Sequence, residues 1–291
     1  MGNKKNILVT GANGQLGMEF QTLAAHYPAY NFLFASKDEL SIIDQASVEK
    51  FFSQNKIDHC FNCAAYTAVD KAEMEIDIAF ETNGTAVGKL AAACKKNNTR
   101  FIHISTDYVF NGNATEPYKE SDVTDPVNKY GASKLLGETE TIKNNADSII
   151  IRTSWVYSSF GKNFVKTMLR LMNEKESISV VNDQFGCPTY ANDLAEAMMN
   201  IITKNENPQA GIYNYCNTGV ISWYEFALSI KEISGSNCIV NAVPSSQYPT
   251  PAKRPQYSVL DTLKFREIFN IEIPFWKDSL ERCISLLQQA I

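Results

Sequence analysis

Histidine is scarce in this chain: His26, His59 and His103 are the only three among 291 residues, and none stands at metal-ligand spacing from a cysteine or carboxylate cluster. No metal site is therefore expected. A basic excess is also missing, since 27 Lys and Arg face 32 Asp and Glu for a formal charge of -5, so no surplus cation exists to neutralise phosphates along a duplex. Nucleic acid is not an expected partner. No apolar run approaches the roughly 18 residues that span a bilayer, and no membrane partner is expected either. The first residues pass from Met1-Gly2-Asn3-Lys4-Lys5 directly into Ile7-Leu8-Val9 with no apolar leader, and Asn6 stands where myristoylation at Gly2 would want Ser or Thr. The expectation is a cytoplasmic protein. Seven cysteines, at 60, 63, 94, 187, 216, 238 and 283, are odd in number and too sparse for a disulfide scaffold. They read as reduced, and the C-x-x-C of Cys60 and Cys63 lies in an apolar segment that looks like the end of a buried strand. No repeat or low-complexity tract occurs, and 44% hydrophobic with 20% charged residues is the composition of an ordinary globular chain.

Short β-branched or aromatic runs recur at 6–10, 31–35, 57–62, 99–104 and 148–152, separated by helical periodicity at 15–26, 47–54, 76–96 and 129–143. Strands that are apolar throughout and alternate with helices predict an α/β fold, a doubly wound parallel sheet of Rossmann type. Beyond Val156 the pattern loosens. Helices are predicted over 161–173, 192–202 and 222–234, strands near 178–181 and Tyr213, then a Pro-rich loop (Pro244, Pro249, Pro251, Pro255) and amphipathic segments over 262–269 and 276–288. This reads as a dinucleotide-binding domain over 1–157 and a smaller C-terminal α/β substrate lobe over 158–291, able to interleave with the sheet domain.

Gly11-Ala12-Asn13-Gly14-Gln15-Leu16-Gly17 follows the first strand and opens the first helix, the context a dinucleotide fingerprint requires. Gly11 suits the tight turn, Gly14 a backbone approach to a pyrophosphate, and Gly17 close packing of helix on strand. The anion would sit on free helix N–H groups. The second strand runs into Ser36-Lys37-Asp38, where NAD-preferring sheets usually place an acid against the adenosine ribose. A hydroxyl and an ammonium there tolerate a 2′-phosphate, so the cofactor is expected to be NADPH or NADH.

Tyr130-Gly131-Ala132-Ser133-Lys134 opens a helical segment, and a separation of four puts Tyr130 and Lys134 on one face. A free phenol has a pKa near 10 and needs a nearby cation to exchange protons at neutral pH, a charge Lys134 can supply. Chance alone yields roughly one such spacing in a chain this rich in tyrosine. Its position after the fourth strand's Ile104-Ser105-Thr106-Asp107, where strand ends meet the cofactor crevice, gives it weight.

The glycine loop, a hydroxyl after strand four and Tyr-x-x-x-Lys together resemble the extended short-chain dehydrogenase/reductases. Longer motifs narrow this: Ser105-Thr106-Asp107-Tyr108-Val109-Phe110, Arg152-Thr153-Ser154-Trp155-Val156-Tyr157, Asn182-Asp183-Gln184-Phe185-Gly186-Cys187-Pro188-Thr189 and Pro251-Ala252-Lys253-Arg254-Pro255 are similar to the dTDP-4-dehydrorhamnose reductase family, as are 67–73 and 163–171. The resemblance implies reduction of the C4 keto group of dTDP-4-dehydro-L-rhamnose by NAD(P)H, a step in the biosynthesis of rhamnose for cell-surface polysaccharide. It implies that Tyr130 is the proton donor, that Lys134 tunes it and binds the cofactor ribose, and that Thr106 hydrogen-bonds the sugar near its carbonyl. Asp107 would contact substrate and Trp155 would pack on the sugar. Gly14, Gln15 and Leu16 would hold the pyrophosphate, and Ala65, Tyr66 and Thr67 would line the cofactor cleft. In the C-terminal lobe, Lys253-Arg254 would meet a substrate diphosphate, while Gln184 and Asn163 offer amides for base or phosphate. Trp223, Tyr224 and Phe226 read as core.

Some members of the family dimerise around magnesium held by glutamates. Glu19 matches one such position, but Asn192 stands at a second and the third falls near Leu286, too few carboxylates for a hard dication. The expectation is no metal and a monomer or weak homodimer. Two other readings remain open: a nucleotide-sugar dehydratase or epimerase of the same superfamily, which would want an Asp-Glu pair where Asp107-Tyr108 stands, and a non-catalytic NADP-binding regulatory subunit.

Overall fold

A computed structural model describes residues 4–205 and 207–289; Gly2 lies outside them. The first half alternates β1 (Lys5–Thr10), α1 (Gln15–Leu23), β2 (Tyr30–Ala35), α2 (Gln45–Gln54), β3 (His59–Asn62), α3 (Ile76–Phe80), α4 (Ala86–Lys96), β4 (Arg100–Thr106), α5 (Lys129–Asn144) and β5 (Ile149–Thr153). The periodic segment predicted as one helix over 76–96 is broken by a π-helical turn at Glu81–Thr85, which separates α3 from α4. An extra residue per turn of this kind recurs at functional sites, and here it turns Asn83 onto the loop after β3.

The second half holds β6 (Val156–Tyr157), α6 (Phe164–Glu174), β7 (Ser177–Val181), β8 (Phe185–Gly186), β9 (Thr189–Tyr190), α7 (Ala191–Lys204), β10 (Gly211–Asn214), β11 (Ile221–Ser222), α8 (Trp223–Ser234), β12 (Ile239–Val243), α9 (Leu263–Phe269) and α10 (Trp276–Gln289). The main sheet has six strands in the order β10-β5-β4-β3-β1-β2, and every pairing in it is parallel. The expected doubly wound sheet is therefore present, with its sixth strand supplied from beyond residue 157.

Alternation along β1 divides its side chains between two cores. Ile7 and Val9 join Phe20, Leu194, Met198 and Phe265 on the face covered by α1, α7 and α9, whereas Leu8 joins Val48, Phe52, Val87 and Leu90 on the face covered by α2 and α4. Packing on the sheet thus takes in α7, β10 and α9, so a contiguous split at 157 does not follow the layers. A separate core formed by α6, α8, α10, β7 and β12 gathers Val165, Ile178, Phe226, Val240 and Leu280. That core is drawn wholly from the second half of the chain. No helix among the described residues is long and apolar enough to cross a membrane.

Candidate active site

The sheet order reverses around β1, which has β2 on one side and β3 on the other, and ligands of open α/β sheets bind above the strand ends at such a point. A cleft of about 640 Å³ opens there. Gly14, Gln15 and Leu16 border it from the glycine loop, Ala65 and Thr67 from the loop after β3, Thr106 and Asp107 from the end of β4, Tyr130 and Lys134 from α5, and Trp155 and Arg254 from the second half.

Gly11 has φ +64°, and a Cβ on it would stand 2.7 Å from Ala64 N, so the turn out of β1 and its seat against the loop after β3 both require glycine. Gly17 packs behind the loop, where a Cβ would meet Gly11 O at 2.5 Å. These two glycines shape the loop without bordering the cleft. No side chain caps the N-terminus of α1, whose N-cap is Gly14. An uncapped helix end aimed at a cleft, with backbone stripped to glycine around it, is a fit for a dinucleotide pyrophosphate.

Ser36 and Lys37 follow β2 and lie outside the cleft lining. Glu39, which the motif reading passed over, accepts a 2.8 Å hydrogen bond from Ser36 N and is held below the usual carboxylate range by it. An acid therefore stands beside the hydroxyl and ammonium at the position expected to face the adenosine ribose.

Asn128 caps α5 by accepting from Gly131 N at 2.7 Å, which starts the helix in time to place Tyr130 and Lys134 one turn apart. Thr106 Oγ1 lies beside the Tyr130 phenol and donates to Asp107 Oδ1 at 2.9 Å. Burial pushes the Tyr130 phenol well above its ordinary range, and the Asp107 charge adds to this. The phenol therefore keeps its proton. Lys134 Nζ donates to Ile104 O at 2.6 Å and does not bond the phenol; burial lowers it to about 8, against the raising influence of Glu138 and Cys63. Lys134 is thus placed to act on Tyr130 through its charge and not through a direct hydrogen bond. Asp107, 2% exposed, is raised to about 7 by burial, with the hydrogen bond from Thr106 to Oδ1 opposing and Oδ2 buried without a partner.

Asn83, from the π-helical turn, was not foreseen. Its Oδ1 accepts from Tyr66 N at 2.8 Å, and its Nδ2 donates to Tyr66 O and to Ser133 Oγ, each at 2.9 Å. It ties the loop after β3 to the first turn of α5. Tyr66 itself turns its phenol to Glu75, at 2.7 Å, so only its backbone serves the loop.

Asn163 does not border the cleft. It caps α6 by accepting from Lys166 N at 3.0 Å, and its Nδ2 donates to Gln15 Oε1 at 2.9 Å and Ser158 O at 2.7 Å, so the amide is spent on structure. Gln184 is buried away from the lining. Arg254 does border it, paired with Asp70 at 2.9 Å, while Lys253 points to solvent. Phe226 is core as expected, Trp223 and Tyr224 pack against that core half-buried, and Trp223 also borders the cleft.

Glu19 is 2% exposed, accepts from Ser158 Oγ at 2.6 Å and Asn192 Nδ2 at 3.1 Å, and is raised by burial. Its oxygens already have neutral donors, and Leu286 nearby offers no ligand atom, so these residues do not fit a hard dication.

Over residues 5–289 the chain matches the family described as the RmlD substrate binding domain. It is 42% identical over 274 residues, 94% of this chain and 95% of the relative, to the spore coat polysaccharide biosynthesis protein SpsK of Bacillus subtilis (strain 168). To the dTDP-4-dehydrorhamnose reductase of Burkholderia thailandensis it is 40% identical over 298 residues, 97% of this chain and 99% of the relative. The crystal structure of dTDP-4-dehydrorhamnose reductase from Bacillus anthracis str. Ames in complex with NADP superposes with a TM-score of 0.92 at 37% identity, covering 98% of this chain and 100% of that one.

Proposed function

Because the chain belongs to the RmlD substrate binding domain family, we propose that it reduces the C4 keto group of dTDP-4-dehydro-L-rhamnose to give dTDP-L-rhamnose. The observation that carries this reading is the meeting of Thr106, Tyr130 and Lys134 with the uncapped end of α1 in one cleft, in a chain 40% identical to a reductase of that name across nearly its full length.

NADPH or NADH, when bound, supplies the hydride. Gly14, Gln15 and Leu16 hold its pyrophosphate at the helix end, Ala65 and Thr67 border its path, Lys134 takes the ribose beside the nicotinamide, and Ser36, Lys37 and Glu39 meet the other ribose. Thr106, its hydroxyl turning away from Asp107 Oδ1 when the sugar is bound, donates to the sugar carbonyl. Tyr130, its proton retained by burial, delivers that proton to the oxygen as negative charge develops there. Lys134, charged below about 8, keeps positive charge under the site as the tyrosine gives up its proton. Arg254 meets the substrate diphosphate, and Trp155 packs on the sugar. The absence of an Asp-Glu pair at Asp107-Tyr108 disfavours dehydration, and the complete Thr106, Tyr130 and Lys134 set favours turnover over a regulatory role. Its place is the cytoplasm, in rhamnose synthesis for cell-surface polysaccharide, as a monomer or weak homodimer without metal.

The test is incubation with dTDP-4-dehydro-L-rhamnose and NADPH, following NADPH loss and identifying the product by mass and NMR. Stoichiometric formation of dTDP-L-rhamnose is expected; no NADPH consumption, or a product altered elsewhere on the ring, refutes the reading.

A further inference from the structure

We propose that Trp223 is a second aromatic wall of the substrate cavity and the residue that seats Trp155, an inference that rests on the reductase reading above. Trp155 has φ +47°, a left-handed conformation that a bulky residue adopts only where its surroundings impose it. Two neighbours do so. The Trp223 indole lies nearly parallel to it, at a centroid distance of 3.5 Å and an angle of 9°. Gly186 in β8 abuts the same ring, since a Cβ there would stand 2.6 Å from Trp155 Cε2. Any side chain at Gly186 would push the indole off its seat.

Trp223 is anchored in turn. It opens α8 behind the reciprocal cap of Ser222 and Glu225, and its ring lies 4.6 Å from Phe164. Phe226, one turn on, is fully buried, whereas both indoles border the cleft that holds Thr106 and Tyr130. A pyranose presents C–H surface that packs on aromatic rings, and a stack fixed by cap, glycine and Phe164 is a preorganised slab for it. The cofactor end of the cleft is built instead of glycine backbone. On this assignment Trp223 acts on the sugar and not on the dinucleotide, a division that the two KM values separate.

The experiment measures KM separately for dTDP-4-dehydro-L-rhamnose and NADPH in wild type, Trp223→Ala, Trp223→Phe and Gly186→Ala, with far-UV circular dichroism of each free enzyme. Stacked indoles couple, so the wild type shows an exciton couplet that Trp223→Ala and Trp223→Phe abolish. Aromatic contacts of this kind correspond to about two- to tenfold in binding. The sugar KM rises by that factor in Trp223→Ala and by less in Trp223→Phe, at constant NADPH KM. Gly186→Ala keeps Trp223 and dislodges Trp155, so it weakens the couplet and raises the sugar KM alone, which preserves the test should Trp223→Ala fail to fold. An unmoved sugar KM in the folded variants, or sugar and cofactor KM rising together, overturns the proposal. A wild type that does not reduce the sugar overturns the reductase reading itself, and with it the sugar as the occupant of this wall.

Discussion

Tyr130→Phe removes one oxygen and leaves the ring. That ring meets Tyr108 edge-on, with centroids 5.8 Å apart and planes at 78°, a contact phenylalanine preserves. Lys134 is tied to Ile104 O and not to the phenol, so its position also survives the change. The lost group is the proton source beside Thr106. General acid catalysis of this kind is worth about 10²–10⁴-fold, or about 3–5 kcal/mol of barrier. Folding stability should fall by no more than the about 0.5–1.5 kcal/mol typical of one hydrogen bond. Single-turnover rates with NADPH preloaded should therefore drop by that catalytic factor, while fluorescence titration returns a wild-type Kd for NADPH. A mutant turning over near the wild-type rate would refute the assignment of Tyr130 as acid. Equal losses in rate and cofactor affinity would contradict the independence of Lys134.

With Lys134 lowered to about 8, its cation is present below that pH and lost above it. kcat/KM should fall as pH rises through about 8, and Lys134→Arg, charged throughout, should lack that limb. Arg152 and Glu138 form a buried pair, 3% and 2% exposed and 2.7 Å apart; Arg152→Ala should cost about 3–5 kcal/mol in urea unfolding, because Glu138 is left buried without its cation. Ser36→Asp should shift the kcat/KM ratio toward NADH and Glu39→Gln toward NADPH; ratios unchanged in both would place cofactor selectivity elsewhere. Light scattering and initial rates should be indifferent to EDTA and to added magnesium, since Glu19 is satisfied by Ser158 and Asn192; a chelator-induced loss of mass or activity would restore the metal.

The elements that sequence reading located well carry their signals locally. Asn128, Asn163 and Ser222 cap α5, α6 and α8 in the structure as polar residues ahead of periodic runs, and the apolar strands of the sheet announce two covered faces. What was not legible depends on contacts distant in sequence. Asn83 lies in an apparently continuous helical period, and only the π-helical turn rotates it onto Tyr66 and Ser133. Trp223 shares α8 with Phe226 and reads as core until the left-handed backbone of Trp155, 68 positions earlier in the sequence, brings the two indoles together. Asn163 looked like a free amide because capping and binding use the same atoms. The four-residue β10 joins the sheet beside β5 through pairing that its own short sequence cannot announce.

The most direct test of the central claim uses NADPH carrying deuterium at the transferable position of the nicotinamide. The account predicts dTDP-L-rhamnose deuterated at C4 of the sugar, one label per cofactor consumed, with the new hydroxyl proton drawn from solvent-exchangeable sites. Deuterium at another carbon, or sugar product formed without label, would contradict it.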